Sequence, residues 1–349
     1  MQISVHFRVM RMRLVMFLFN KKKNFKMKMT YGEAIREALF KELENDQSVV
    51  LFGEDIQHNL YGYTYNLVNI FGKKRIINIP LSEAAVVGLA TGAAMCGLTP
   101  IVDLTVANFL YVAMDQIVNM AAKINYMYNG QFKLPLTIMC SVFYNGSNAA
   151  QHSDRPHPIF MNVPGLKVVA PTCPQDAYSL LRSAIADENP VIYFSDRTLF
   201  YAEADVDVNC NIEIGQASVL AEGSGMTIVV ISGCAQMALD LLPELANKNI
   251  SAEIIDVRSL VPLDINTIKK SVRKTGRVVI VDTANKSCSA ASEISSILAE
   301  GLFSALKAPI GIVACDDVPV PYAKNLELQI MPTKEKIFQK VISVMQYHK

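Results

Sequence analysis

Apolar and polar positions follow two alternating periods along the chain. Thr30–Asn45 places Ala34, Ile35, Ala38, Leu39 and Leu43 at helical spacing behind a threonine start and predicts an amphipathic helix. Ser48–Gly53 is a short β-branched run closed by glycine, the mark of a strand buried on both faces. The strand pattern returns at Ile76–Ile79, Ile101–Leu104, Leu136–Ser141, Leu166–Ala170 and Val191–Phe194. Helices are predicted between them at Leu81–Gly97, Met114–Tyr126 and Pro174–Ala186. Strands separated by helices require crossover connections, and hence a parallel sheet covered on both faces.

An acidic stretch, Glu203–Glu213, interrupts the alternation and reads as a linker. Beyond it, strands at Met226–Ile231, Ala252–Asp256, Arg277–Val281 and Ile310–Ala314 alternate with helices at Ala235–Ala246, Pro262–Lys270, Ala290–Ala305 and Thr333–Tyr347. The fold class is α/β with two doubly wound domains. The first is expected over 29–205, a linker over 206–215, and a smaller second domain over 216–349.

The N-terminal segment differs from the rest. Residues 1–32 hold eight basic residues and no acid before Glu33; without them 25 basic residues face 32 acidic ones, a net charge of −7. Leu14–Phe19 is too short for a signal-peptide core, and no small-residue cleavage site follows. A lysine run and scarce serine count against a mitochondrial-type transit peptide. We read an upstream start with the true start near Met29, a disordered basic arm being the alternative, and set residues 1–28 apart.

Composition narrows the class further. With 33 basic and 32 acidic residues among 349, and 51% hydrophobic positions, the chain is neither a polyelectrolyte nor a basic nucleic-acid binder. No run of about 18 uncharged apolar residues exists, so no membrane helix is expected. Seven cysteines without a C-x-x-C pair fit neither a disulfide framework nor a zinc site, and suit a reducing compartment.

Three places could carry chemistry. Glu83 opens the Ala- and Gly-rich helix after Ser82, where a carboxylate either complements the helix dipole or serves a site at a strand's carboxyl end. Because that helix is nearly all small or apolar, it is expected to be buried. Phe109, in Asn108-Phe109-Leu110-Tyr111, is either core filler or a stacking platform. His152 sits in the polar loop Asn145–Ser153, where a histidine can move protons near neutral pH or simply be solvated. His157 and His58 are similar cases with weaker context. There is no G-x-G-x-x-G after a strand, no G-x-x-x-x-G-K-[ST] loop, no G-x-S-x-G elbow and no H-E-x-x-H helix. Nothing in the chain anchors a metal–diphosphate.

From Met29 to Lys349 the sequence resembles the β subunits of thiamine-diphosphate-dependent 2-oxo acid dehydrogenases, including the pyruvate and branched-chain enzymes and the related acetoin enzyme. The resemblance rests on LFGEDI (51–56), PLSEAAVVGLATGAAMCGLTPIV (80–102), MDQIVNMAAK (114–123), AAQHSD (149–154), VPGLKVVAP (163–171), AIADENPVI (184–192), TIVVISG (227–233) and DDVPVPYAKNLE (316–327), all in order. It implies a pyrimidine-binding-type first domain and a transketolase-type second one. It also implies an α subunit that supplies the Gly-Asp-Gly motif, absent here, and holds Mg²⁺ and the diphosphate in an α₂β₂ assembly. On the same ground, Glu83 is the carboxylate at the aminopyrimidine ring, Phe109 the aromatic packed on it, and His152 the loop histidine near substrate or the lipoyl group. Such chemistry needs a carboxyl that keeps a proton in a water-poor cleft. A potassium site at the loop carbonyls of Leu136, Ala184, Asp187 and Asn189 is carried over from some relatives.

The implied reaction is decarboxylation of a 2-oxo acid, pyruvate first, with transfer of the acyl group to a lipoyl acyltransferase that docks on the second domain. The expected compartment is bacterial cytoplasm, or the mitochondrial matrix in a eukaryote. CSVFYNGSNAAQHS, DRPHPIFMN and QHNLYGYTYN depart from the family's usual wording where substrate would enter, which leaves the choice of oxo acid open. A single-chain transketolase-type enzyme and a catalytically inert assembly subunit are the rival readings. The missing Gly-Asp-Gly speaks against the first. Retention of Glu83, Phe109 and His152 together speaks against the second.

Overall fold

The structure, a computed structural model, describes residues 26–143 and 146–347. Its strands are β1 (Lys26–Thr30), β2 (Val49–Gly53), β3 (Ile76–Asn78), β4 (Thr99–Val106), β5 (Thr137–Val142), β6 (Lys167–Val169) and β7 (Val191–Asp196). They continue with β8 (Glu203–Asp207), β9 (Ser218–Ala221), β10 (Met226–Val230), β11 (Ala252–Asp256), β12 (Ser259–Val261), β13 (Val278–Asn285) and β14 (Gly311–Cys315). Seven form one sheet in the order β12-β6-β7-β5-β4-β2-β3, parallel except β12. Five form a second, β14-β13-β10-β11-β9, parallel except β9.

Both faces of each sheet are covered, as the uninterrupted apolar runs require. In β2, Val49 and Leu51 point to the layer containing helices Tyr31–Asn45 and Pro174–Ile185, while Val50 and Phe52 point to the layer of helix Glu83–Met95. The second layer is shared. Val102, Ile138 and Phe194 of the first sheet belong to one buried cluster with Val229, Ile255 and Ile280 of the second. No helix among the described residues is long and apolar enough to cross a membrane.

Two charged segments set aside from the sequence turn out to be partners. β1 begins inside the segment set apart as residues 1–28, and β8 occupies the start of the expected linker; they pair antiparallel, with Lys26 opposite Asp207 and Lys28 opposite Asp205. Lys28 Nζ lies 2.6 Å from Glu203, while Met29 and Val206 are buried beneath. A basic strand cancels an acidic one, and neither has a strand signature alone. Residues 1–25 lie outside the described residues. The rest of the linker is strapped to helix Pro174–Ile185, where Ser179 Oγ donates to Cys210 O (2.9 Å) and Ser183 Oγ to Ile212 O (2.6 Å).

Other expectations shift for local reasons. The helix expected over Pro262–Lys270 begins at Ile265, capped by Asp264, because Ser259–Val261 has become an edge strand of the first sheet. Ala235–Ala246 splits into Cys234–Leu239 and Leu242–Asn247, with Pro243 starting the second piece. Met114–Tyr126 resolves into a π-helical turn, Gln116–Ala121, and a short helix, Ile124–Met127. Helix Glu83–Met95 is only half buried. Val86, Val87, Ala90 and Ala94 face the core, whereas Ala85, Leu89, Gly92 and Cys96 form an exposed stripe, with Leu89 56% accessible. A helix apolar on all sides is thereby left with one apolar face uncovered.

Candidate active site

The carboxyl ends of β2, β3 and β4 meet the first turn of helix Glu83–Met95, the position where open parallel sheets place their clefts. A shallow depression opens there, lined by Glu54, Ile79, Leu81, Glu83, Asp103 and Phe109 among others. None of its lining residues is basic. Glu83 is half-buried at the helix start, and Ser82 makes no side-chain cap, so dipole complementarity falls to Glu83. Glu54, the residue after β2, faces the same space. Burial and the charges of Asp55 and Glu83 hold its carboxyl above the usual range.

Asp103 is the best-held carboxyl in the cleft, and the sequence reading missed it. It accepts from the Tyr63 hydroxyl (2.8 Å) and the Thr105 amide (2.9 Å), while burial pushes its pKa up to about 6 against those bonds. Thr105 is a β-branched residue at φ 59, at a register shift between β4 and β5. In this conformation the Thr105 amide donates to the Asp103 carboxylate rather than to the ladder. An acid in the apolar run PIVDLTV was the available signal. Nearby, Arg197 lies over the Phe200 ring at 4.0 Å and the Tyr61 ring at 4.7 Å, so part of the bulky loop after GED packs as an aromatic cluster.

The turn Ala107–Tyr111 leads out of β4 and joins two of the predicted residues. Phe109 lines the cleft, and the ring of His152 meets it edge-on at 5.6 Å and 77°. Asn108 Oδ1 accepts from the Asp154 amide (3.2 Å), and Tyr111 bonds the Asp154 carboxylate, which with burial raises the phenol's pKa. One short turn therefore supplies a cleft wall and seats the histidine segment. His152 itself is exposed. Glu83 and Phe109 thus line one depression, and His152 meets Phe109 outside that lining.

The remaining candidates fall elsewhere. His157, expected where substrate would enter, is buried, with Nε2 3.1 Å from Asp282 of β13; it ties the two sheets together and does not line the cleft. His58 is an exposed partner of Asp55 (3.4 Å). Leu136, Ala184, Asp187 and Asn189 gather at the amino ends of β5 and β7, the sheet edge opposite Glu83. There Leu136 O accepts from Val191 N (2.9 Å), Ala184 O from Asp187 N (3.3 Å), and the Asp187 carboxylate from Asn189 N (2.9 Å) and the Lys167 ammonium. Ala184 O also accepts from Ala186 N, and the Lys167 ammonium already neutralises Asp187, so these bonds account for the turn without a cation. No cluster of His, Cys, Asp and Glu among the described residues suits a transition metal.

Residues 27–202 match the family described as transketolase, pyrimidine binding domain, and residues 215–337 the transketolase C-terminal domain. The pyruvate dehydrogenase E1 component subunit beta of Rickettsia felis is 41% identical over 330 residues, covering 92% of this chain and 99% of that one. The chain belongs to the β-subunit family of thiamine-diphosphate-dependent 2-oxo acid dehydrogenases. Within that family, the Bacillus subtilis acetoin:2,6-dichlorophenolindophenol oxidoreductase subunit beta is 35% identical over 329 residues, covering 90% of this chain and 96% of that one. The 2-oxoisovalerate dehydrogenase subunit beta of the same organism is 35% identical over 315 residues, covering 88% and 96%. The β-subunit fold is shared with a split-gene transketolase solved as an inactive β4 tetramer, at TM-score 0.76 and 22% identity over 92% of this chain and 99% of that one. It also appears in a Pichia stipitis transketolase variant (TM-score 0.67, 14% identity), where it accounts for 47% of that longer chain and 94% of this one.

Proposed function

We propose that this β subunit supplies the pyrimidine half of a thiamine diphosphate site and, with an α subunit carrying Gly-Asp-Gly, Mg²⁺ and the diphosphate grip, decarboxylates a 2-oxo acid and passes the acyl group to a lipoyl acyltransferase. The observation that carries this is the cleft itself: Glu83 and Phe109 share one wall system, and no basic residue lines it. Three acids and an aromatic suit a nitrogen heterocycle and would repel phosphate. The exposed stripe of helix Glu83–Met95 gives an α subunit a small-residue surface for close approach.

When bound, thiamine diphosphate supplies the nucleophilic carbon and electron sink for decarboxylation. Glu83 then holds a proton between its carboxyl and a ring nitrogen of the pyrimidine. Phe109 packs on the ring, and Ile79 lines the cleft beside it. His152, seated against Phe109, gives an imidazole proton to a sulfur of the incoming dithiolane. Potassium at the 184–189 turn is proposed on the family resemblance alone. Pyruvate is the leading substrate, since the three Rickettsia relatives at 39–41% identity are named as pyruvate dehydrogenase subunits; the Cupriavidus necator acetoin:2,6-dichlorophenolindophenol oxidoreductase subunit beta, also 39% identical, makes acetoin the second reading.

The test is co-expression with a Gly-Asp-Gly partner and measurement of hydrogen–deuterium exchange at thiazolium C2. Glu83→Gln keeps shape and removes the proton, so exchange should fall at least about 100-fold in an intact heteromer. Wild-type exchange in that variant would remove Glu83 from the mechanism. Relative kcat/KM for pyruvate, branched-chain 2-oxo acids and acetoin then fixes the substrate.

A further inference from the structure

Glu327 belongs to the short helix Lys324–Ile330 after β14 and is completely buried. Its Oε2 accepts from the Ser147 amide at 3.0 Å, reaching 180 residues back in sequence to the segment that precedes His152. Its Oε1 is buried without a hydrogen-bond partner among the described residues. A carboxylate stranded in this way is costly, and an apolar side chain of similar volume would fill the space without that cost. The helix that carries it is anchored, since the Asp316 amide at the end of β14 donates to Ile330 O at 2.9 Å.

The segment it grips is strained. Ser147 has φ 53, and Ala149 has φ 59 with ψ −176, a combination that side chains other than glycine seldom adopt. Such backbone persists only where its surroundings over-determine it, and a charged acceptor on a backbone amide is among the stronger holds available. From the other side, Arg155 donates to Ser153 O (2.9 Å) and to Phe143 O, and Asn108 accepts from the Asp154 amide (3.2 Å). Those bonds hold Asp154 and both flanks. Glu327 reaches the strained part itself, at Ser147.

We propose that Glu327 is a positioning residue through which the C-terminal domain sets His152 against Phe109 for acyl transfer. This rests on the role given to His152 above. The bond lies on the histidine side of the site and touches neither Glu83 nor the lining of its cleft. Its loss should therefore separate two steps that a merely structural defect would lower together.

The experiment uses the assembled heteromer with isolated lipoyl domain as acceptor. Glu327→Met, similar in volume and without an acceptor, should lower acylation of the lipoyl domain at least tenfold. Decarboxylation read with an artificial oxidant should stay within twofold, and so should C2 exchange. Glu327→Gln keeps an acceptor for Ser147 and should retain acylation within about threefold. If Glu327→Met does not assemble, replacing the Ser147 amide by an ester deletes the same bond from the loop side and should give the same split. Wild-type acylation without the bond, or an equal fall in both steps, overturns the proposal. His152→Ala in parallel separates the two ideas: if it leaves acylation intact, the histidine reading fails; if it impairs acylation and bond deletion does not, only the positioning role fails.

Discussion

At the scale of single residues, the cleft sets acids with different surroundings side by side. Glu83 stood out because an acid that opens an apolar helix after a strand either complements the helix dipole or serves a site, and it lines the cleft. Asp103 did not, because its sequence neighbours are all strand-forming and its partner Tyr63 is forty residues away. Burial raises Asp103 from 3.8 to about 6. Its contribution to stability is therefore fully present below about pH 4 and is lost as pH rises through about 6. Asp103→Asn keeps the acceptor for Thr105 and should raise the melting temperature at pH 8, by up to about 3 kcal/mol of stability. It should also flatten the dependence between about pH 4 and 6. Melting curves of both proteins across that range check this, and an unchanged slope would show that Asp103 is not the titrating group.

Elements decide what these residues can reach. The turn Ala107–Tyr111 makes neighbours of Phe109 and His152, forty-three positions apart, a relation no local pattern contains. Helix Glu83–Met95 was read as buried because every face is apolar. The structure divides it into a core face and the open stripe of Ala85, Leu89 and Gly92. Leu89→Glu should leave the chain folded by circular dichroism and abolish co-purification with the α subunit. Retained heteromer would place the interface elsewhere. Replacing potassium by a larger organic cation should lower stability by about 1–3 kcal/mol if the 184–189 turn binds the ion near a hundredfold excess over Kd. A melting temperature indifferent to the cation would exclude that site.

The whole molecule is joined more tightly than two domains in tandem. β12, from the C-terminal half of the sequence, is an edge strand of the first sheet, and the buried cluster between the sheets is continuous. Ion pairs cross the same boundary: His157 with Asp282, and Arg258 Nη1 with Asp176 at 3.0 Å. Beside the latter, burial and the Asp176 charge raise the Asp256 carboxyl well above its ordinary value, and Thr172 donates to it. Thermal unfolding should accordingly be one cooperative transition in calorimetry. Two separated transitions would mean that the shared core does not couple the halves.

Period was enough for the α/β class, the two sheets and the place of Glu83 at a helix start after a strand, and the longer motifs for the kinship with thiamine enzymes, because these depend on which residues follow one another. Pairing depends on which residues face one another. Only the folded chain brings Lys26–Thr30 to Glu203–Asp207, His157 to Asp282, and Glu327 to Ser147, since each partner's energy lies in a contact across sequence and leaves no periodic trace. The cleft draws on both kinds of information: Glu83 follows a strand in sequence, whereas His152 meets Phe109 only through tertiary contact.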